Sequence, residues 1–230
     1  TRRAVTLPPQ LEPHRLAMSS DASTIFVCGS VADGWEVWRI GFDQPTTTAR
    51  LRRGEDPCSL AVSPDDTQLA IVANRGGLGG KPDIELLDLQ TATARTLVPR
   101  VEGLGWQVSW SPDGKRLIGV RSRLDGSRSA DEGAFIIDAT TGALSRVDVP
   151  VVAGLELHWL SHETVLLKYL VAGNRPGHRT ILEVAEVSRI MERKRIYQTL
   201  DYTEVVELQV DRGRVMMSTL TAARRVGLIA

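Results

Sequence analysis

An all-β fold built from repeated four-stranded units is what this sequence predicts, and three observations carry the prediction. A four-residue turn, Ser63-Pro64-Asp65-Asp66, returns as Ser111-Pro112-Asp113-Gly114. Both copies are flanked in the same order by the same kinds of short apolar segment. Weaker copies on either side put the whole chain in one register, with a period of about 46 residues. Four-stranded repeats of that size are β-propeller blades, each too small to bury its own faces. The expected fold is therefore a single five-bladed β-propeller of four-stranded antiparallel blades, its ring closed by the N-terminal strand.

The elements follow in order. Arg3–Leu7 reads as a strand that stops at Pro8-Pro9, because proline cannot donate to a ladder. The first repeat opens at His14–Met18 and turns at Ser19-Ser20-Asp21, with Ser20 in the place of proline. The second runs Cys58–Val62, the Ser63 turn, Gln68–Val72, Ile84–Asp88 and Ala94–Leu97; the third runs Trp106–Trp110, the Ser111 turn, Arg116–Val120, Ala134–Asp138 and Ala143–Val147. The fourth starts at Leu155–Trp159, with Ser161-His162-Glu163 as its turn. Within it, Ile181–Thr199 reads as two strands with a turn near Ser188–Glu192, against a short helix suggested by the spacing of Val184, Val187, Ile190 and Met191. The fifth has three strands, near Glu204–Val210, Arg214–Thr219 and Arg224–Ile229. Its missing strand is the reason to pair Arg3–Leu7 with Arg224–Ile229. Approximate blades are 11–52, 53–100, 101–150, 151–202, and 203–230 with 1–8.

The turn followed by an apolar strand, then Asp and a Thr-Gly turn, resembles the WD40-like (PD40) repeat of TolB-type propellers. The match is strongest over Cys58–Val98 and Trp106–Val147. Leu87-Asp88 and Ile137-Asp138 stand where other WD40 proteins carry Trp-Asp, and five repeats are one fewer than usual for the TolB type. The resemblance implies a bacterial, extracytoplasmic protein that binds partners; related propellers gate peptidases.

Charge narrows the function classes. The 230 residues hold 28 Lys+Arg and 28 Asp+Glu, a formal net charge of zero, which excludes a dedicated nucleic-acid or anionic-membrane binder as first reading. No apolar run approaches the length of a membrane span, so no membrane insertion is expected. Thr1–Val5 lack the apolar core of a signal peptide.

The sequence carries no complete catalytic signature. Gly76–Lys81 has Arg75 where a phosphate loop needs glycine, and Pro82 where it needs Ser or Thr. His158 and His162 fall across a strand and its turn, so they are not read as a metal pair, and no metal or other cofactor is expected. The first-strand acids Glu156, Glu204 and Glu207 come from two repeats only, a poor arrangement for a glycosidase pair. Cys28 and Cys58, late in one blade's second strand and at the start of the next blade's first, could be brought close by neighbouring blades, but the expectation is two buried thiols. Asp65 and Asp113 are read as turn-forming residues. No catalytic residue is assigned.

A binding reading remains. The connections between second and third strands, Ser30–Trp35, Asn74–Asp83, Ser122–Gly133 and Ala172–Arg179, are expected to be long and to share one face with the channel mouth. Long loops on a rigid frame are where function collects. The expected contacts are Trp35, Arg75, Trp106, Arg123, Arg175 and His178, since exposed Trp and Arg are enriched at binding hot spots. The expectation is a monomeric, non-enzymatic scaffold that takes a protein partner or a small ligand at this face. The alternative is an enzyme or small-ligand binder using the central channel.

Overall fold

The computed structural model describes residues 6–42, 48–54, 58–73, 83–99, 104–121, 133–149, 152, 154–172, 178–199, 203–211, 214–221 and 225–229. Strands β1 (Glu12–Met18), β2 (Thr24–Val31), β3 (Gly34–Gly41) and β4 (Ala49–Gly54) form the first antiparallel sheet, blade 1. Blade 2 is β5 (Cys58–Val62), β6 (Gln68–Ala73), β7 (Asp83–Asp88) and β8 (Ala94–Val98). Blade 3 is β9 (Leu104–Trp110), β10 (Arg116–Arg121), β11 (Gly133–Asp138) and β12 (Leu144–Val147). Blade 4 is β13 (Glu156–Trp159), β14 (Thr164–Ala172), β15 (His178–Glu186) and β16 (Lys194–Gln198). Strands β17 (Thr203–Asp211), β18 (Arg214–Thr221) and β19 (Arg225–Ile229) form a three-stranded sheet.

Two expectations are corrected here. There are four four-stranded blades instead of five, because the fifth repeat supplies three strands and no described residue adds a fourth. Of the expected closing strand, Arg3–Val5 lie outside the described residues. Thr6 and Leu7 are not in a strand, and Leu7 packs on Leu11, Ile25, Val27 and Ile40 of the blade 1 side. In blade 4 the ambiguous segment resolves as two strands joined by a 3-10 helix, Val187–Glu192, which buries Ile190.

Alternation along each middle strand explains the stacking. In β6, Leu69 and Ile71 face blade 1, where they meet Phe26 and Val37. Ala70 and Val72, on the other face, meet Val108, Trp110 and Leu117 of blade 3. Ile118 and Val120 then turn toward Leu157, Trp159 and Val165 of blade 4. Strands buried on both faces read as near-continuous apolar runs, and full burial of each Leu or Ile contributes about 1.5–3 kcal/mol. The first strands β1, β5, β9 and β13 neighbour one another in series and form the inner wall, while β17 lies beside β15.

Side-chain contacts cross the seams. The Trp110 indole Nε1 donates to the Ala61 carbonyl at 2.9 Å. The Arg116 guanidinium stacks 4.8 Å from the Trp159 ring centre and donates to the His162 carbonyl at 2.8 Å. Arg52 donates twice to Glu85, each bond 3.1 Å. Gly142, at φ +74°, fits against the Leu97 carbonyl where any Cβ would collide.

Cys28 is wholly buried between blades 1 and 2 and is disulfide-bonded; the chain's one other cysteine is Cys58, the first residue of β5. The expected pair of thiols is thus corrected. The stacking of β2 on β5 brings the two strands together, which spacing in sequence could not show.

Candidate functional site

The two ends of the blades differ in chemistry. At one end lie the β1–β2, β5–β6 and β9–β10 turns, and each closes on itself in the same way. The hydroxyls of Ser19, Ser63 and Ser111 donate to Asp21, Asp65 and Asp113, each at 2.6 Å. Those carboxylates also accept backbone N–H bonds from Ser23, Thr67 and Lys115 at 2.9, 3.1 and 3.1 Å. The next turn reaches back: Asp66 accepts bonds from the backbone and hydroxyl of Ser20.

These bonds favour the ionised acids. The Ser19 hydroxyl and Ser23 backbone hold Asp21 at about 2, and the Ser63 hydroxyl holds Asp65 below its usual value. Burial pushes Asp113 up, but Ser111, the Lys115 backbone and Arg116 outweigh it. Lowered folded-state values stabilise the fold above the unfolded carboxyl pKa, near 4, and that contribution disappears as pH falls through the folded values. A urea midpoint series from pH 6 to pH 2 should therefore fall steadily in the acid limb. Asp65→Ala and Asp113→Ala should each cost about 0.5–2 kcal/mol, toward the lower end because the carboxylates are largely exposed, with a flatter acid limb.

The opposite end carries the connections 74–82, 122–132 and 173–177, which lie outside the described residues together with Arg75, Arg123 and Arg175. Trp106 sits within β9 and His178 opens β15, at that same end.

Two expectations about this end are corrected. The β2–β3 connection is a tight hairpin, with Val31 paired to Gly34 and Ser30 to Trp35. Trp35 is a core residue, 3% exposed, and no partner can reach it. Its indole lies over Gly54 of β4, where a Cβ would collide with the ring. The glycine makes the slot that takes the tryptophan in.

Blade 4 holds a charged cluster on the face of β13 and β14 turned away from blade 3, of which the sequence singled out Glu156 and His158 but not Lys168. Glu156 of β13 lies opposite Lys168 of β14. The Lys168 Nζ donates to Glu156 Oε1 at 2.9 Å, and the ammonium side chain is 5% exposed. His158, two residues along on the same side of the strand, places Nε2 3.5 Å from Glu156 Oε2. That contact is too poorly aligned to be a hydrogen bond. Burial pushes the Glu156 carboxyl up, but His158 and Lys168 outweigh it, so it lies below the usual carboxylate range. His162 is not part of this group: it is exposed in the turn, its Nδ1 3.8 Å from Asp113. Glu204 and Glu207 fall on β17 of the three-stranded sheet. Among the described residues no group of three His, Cys, Asp or Glu is arranged to hold a metal ion.

At the start of β1, His14 Nε2 meets the Ser30 hydroxyl at 2.8 Å, and Ser30 lies 3.5 Å from Glu12. All three groups open to solvent, without a buried wall around them.

No protein-family model matches the chain, and no curated protein matches it. Its three-dimensional likenesses are clear. TolB from Acinetobacter baumannii aligns with a TM-score of 0.64 at 15% identity, over 96% of this chain and 54% of that one. The β-propeller domain of the Trilobed protease from Pyrococcus furiosus aligns at 0.55 and 11%, over 97% and 72%. The fold is a β-propeller. An oligogalacturonate lyase in complex with manganese also aligns, at 0.61 and 13%, over 94% and 62%. At these identities the propeller's likeness to the three proteins is one of fold. The chain spans about half the length of the Acinetobacter TolB. Among its described residues no helix is long and apolar enough to cross a membrane.

Proposed function

We propose that this propeller is a non-enzymatic binding scaffold, one domain of TolB-like WD40-like repeats that takes a protein partner or a small ligand at the end bearing connections 74–82, 122–132 and 173–177. The asymmetry of the two ends supports this reading. The Ser–Asp turns spend their polar groups on their own backbone and on the neighbouring turn, so that end serves to hold the blades. A frame held rigid at one end can present adaptable loops at the other at little entropic cost to its core. Arg75, Arg123, Arg175, Trp106 and His178 are the proposed contacts, and Trp35 is withdrawn. The buried disulfide at Cys28 supports an oxidising, extracytoplasmic setting, because cytosolic thiols are kept reduced.

A second reading, a small-ligand binder or enzyme acting in the channel, is favoured by the Glu156–Lys168–His158 cluster, two members of which lie on β13, the first strand of blade 4. The two readings separate in one experiment. Partners are captured with the wild-type domain, and binding and melting temperature are then measured for Arg75→Ala, Arg123→Ala, Arg175→Ala, His158→Ala and Asp65→Ala. The scaffold reading expects each arginine change to weaken binding, on the order of tenfold for a hot-spot residue, with unchanged melting. Loss of binding only in His158→Ala supports the channel, and loss only in Asp65→Ala with an intact fold overturns both.

A further inference from the structure

Among the described residues, blade 1 packs on a neighbouring blade from one side. Blades 2 and 3 are covered on both faces by neighbouring apolar sheets. Blade 1 shares a core with blade 2; on its other face Leu7 and Leu11 pack over Ile25, Val27 and Ile40, while Leu16 and Met18 of β1 stay 48% and 38% exposed. Those two residues lie opposite Val27 and Ile25, so the exposure belongs to the face turned away from blade 2. With a neighbouring blade on one face and, among the described residues, only the short segment before β1 on the other, blade 1 is the weakest-held of the first three.

Polar and covalent links between blades 1 and 2 offset that weakness. Ser20 bonds Asp66 at the turn end, where Ser20 is exposed and its bonds exchange readily with water. Arg52 bonds Glu85 nearer the outer edge, with the arginine 37% exposed. Arg39 donates to the Leu89 carbonyl at 3.5 Å, and the covalent link is the disulfide of Cys28, which is 0% exposed and sits in the shared core.

We propose that this disulfide is a redox latch on blade 1: oxidised, it ties blade 1 to the frame, and reduced, it lets blade 1 open as a unit of its own while blades 2 to 4 stay folded. A crosslink acts by denying the chain its separated states, and local units open independently when few buried contacts tie them to the rest. In the reducing step the S–S bond takes up two electrons and two protons from a dithiol. Two cysteine thiols form, and the dithiol becomes a cyclic disulfide. Burial of Cys28 keeps reductant out until blade 1 lifts, so the oxidised latch protects itself.

The test is amide hydrogen exchange, read by mass spectrometry, on the whole chain oxidised and after reduction with dithiothreitol to two free thiols. Reduction should speed exchange in β2 and β3 on the order of a hundredfold and leave β6, β7, β10 and β11 unchanged. The double variant Cys28→Ala/Cys58→Ala should give the same pattern, and it decides the matter if the reductant does not reach the bond. Equal acceleration in all four blades overturns the proposal, since the sheets would then open together. No acceleration in β2 and β3 of a protein without the bond overturns it as well.

Discussion

Lys168→Ala should cost the fold about 3–5 kcal/mol, the usual loss when one partner of a buried ion pair is removed and the other is left uncompensated. The reason is local. Lys168 is 5% exposed, and its ammonium is held by one carboxylate, Glu156, at 2.9 Å. Ionised Glu156 would then face its desolvation with, among the described residues, His158 beside it at 3.5 Å. Replacing both charges, as Lys168→Met with Glu156→Leu, should return stability to near the wild-type value, because a well-packed apolar pair often matches a buried ion pair. The pH dependence has a definite sign. The folded-state pKa of Glu156 is lowered, so its contribution is present above the unfolded carboxyl value and is lost as pH falls through the folded one. Urea melts at pH 7 and pH 3 should show Lys168→Ala much weaker than wild type at the higher pH and closer to it at the lower. Equal losses at both values would mean the lysine acts through packing alone.

Trp110→Ala should cost about 3–5 kcal/mol, as large-to-small changes of buried aromatics do. The ring is 7% exposed in the core shared by blades 2 and 3, and its Nε1 bonds the Ala61 carbonyl across the seam. Trp110→Phe retains most of the packing and removes the bond, leaving a buried carbonyl short of a donor, and should cost less, about 1–3 kcal/mol. Calorimetric melting of both variants checks this. A loss of under about 1 kcal/mol in the alanine variant would show that the seam is not a close-packed interface.

Much of the fold was readable because the repeat writes its structure locally. Ser63, Asp65 and Gln68 form their bonds within six residues, and the same spacing at Ser111, Asp113 and Arg116 builds the same turn. The near-continuous apolar run in Gln68–Ala73 marks a strand buried on both faces without knowledge of what covers it. What the sequence hid depends on contacts between strands distant along the chain. Trp35 looked like an exposed loop residue because its partner, Gly54, is contributed by β4. Nothing in the sequence marks Lys168 and Glu85 as buried charges, because their partners Glu156 and Arg52 come from an opposing strand and a neighbouring blade. The Cys28 disulfide follows from the stacking of two blades, and the 3-10 helix at Val187–Glu192 from a core that draws in Ile190. Of the candidate site, the self-closing Ser–Asp turns were legible, whereas the charged cluster of blade 4 was visible only as Glu156 and His158, without the Lys168 that opposing strand β14 supplies.

The most direct measurement is an amide-exchange footprint of the propeller with and without its captured partner. The scaffold account predicts protection over 74–82, 122–132 and 173–177, and none over the turns at Ser19–Thr24, Ser63–Gln68 and Ser111–Arg116. Protection of those turns, with the three connections unchanged, would contradict it.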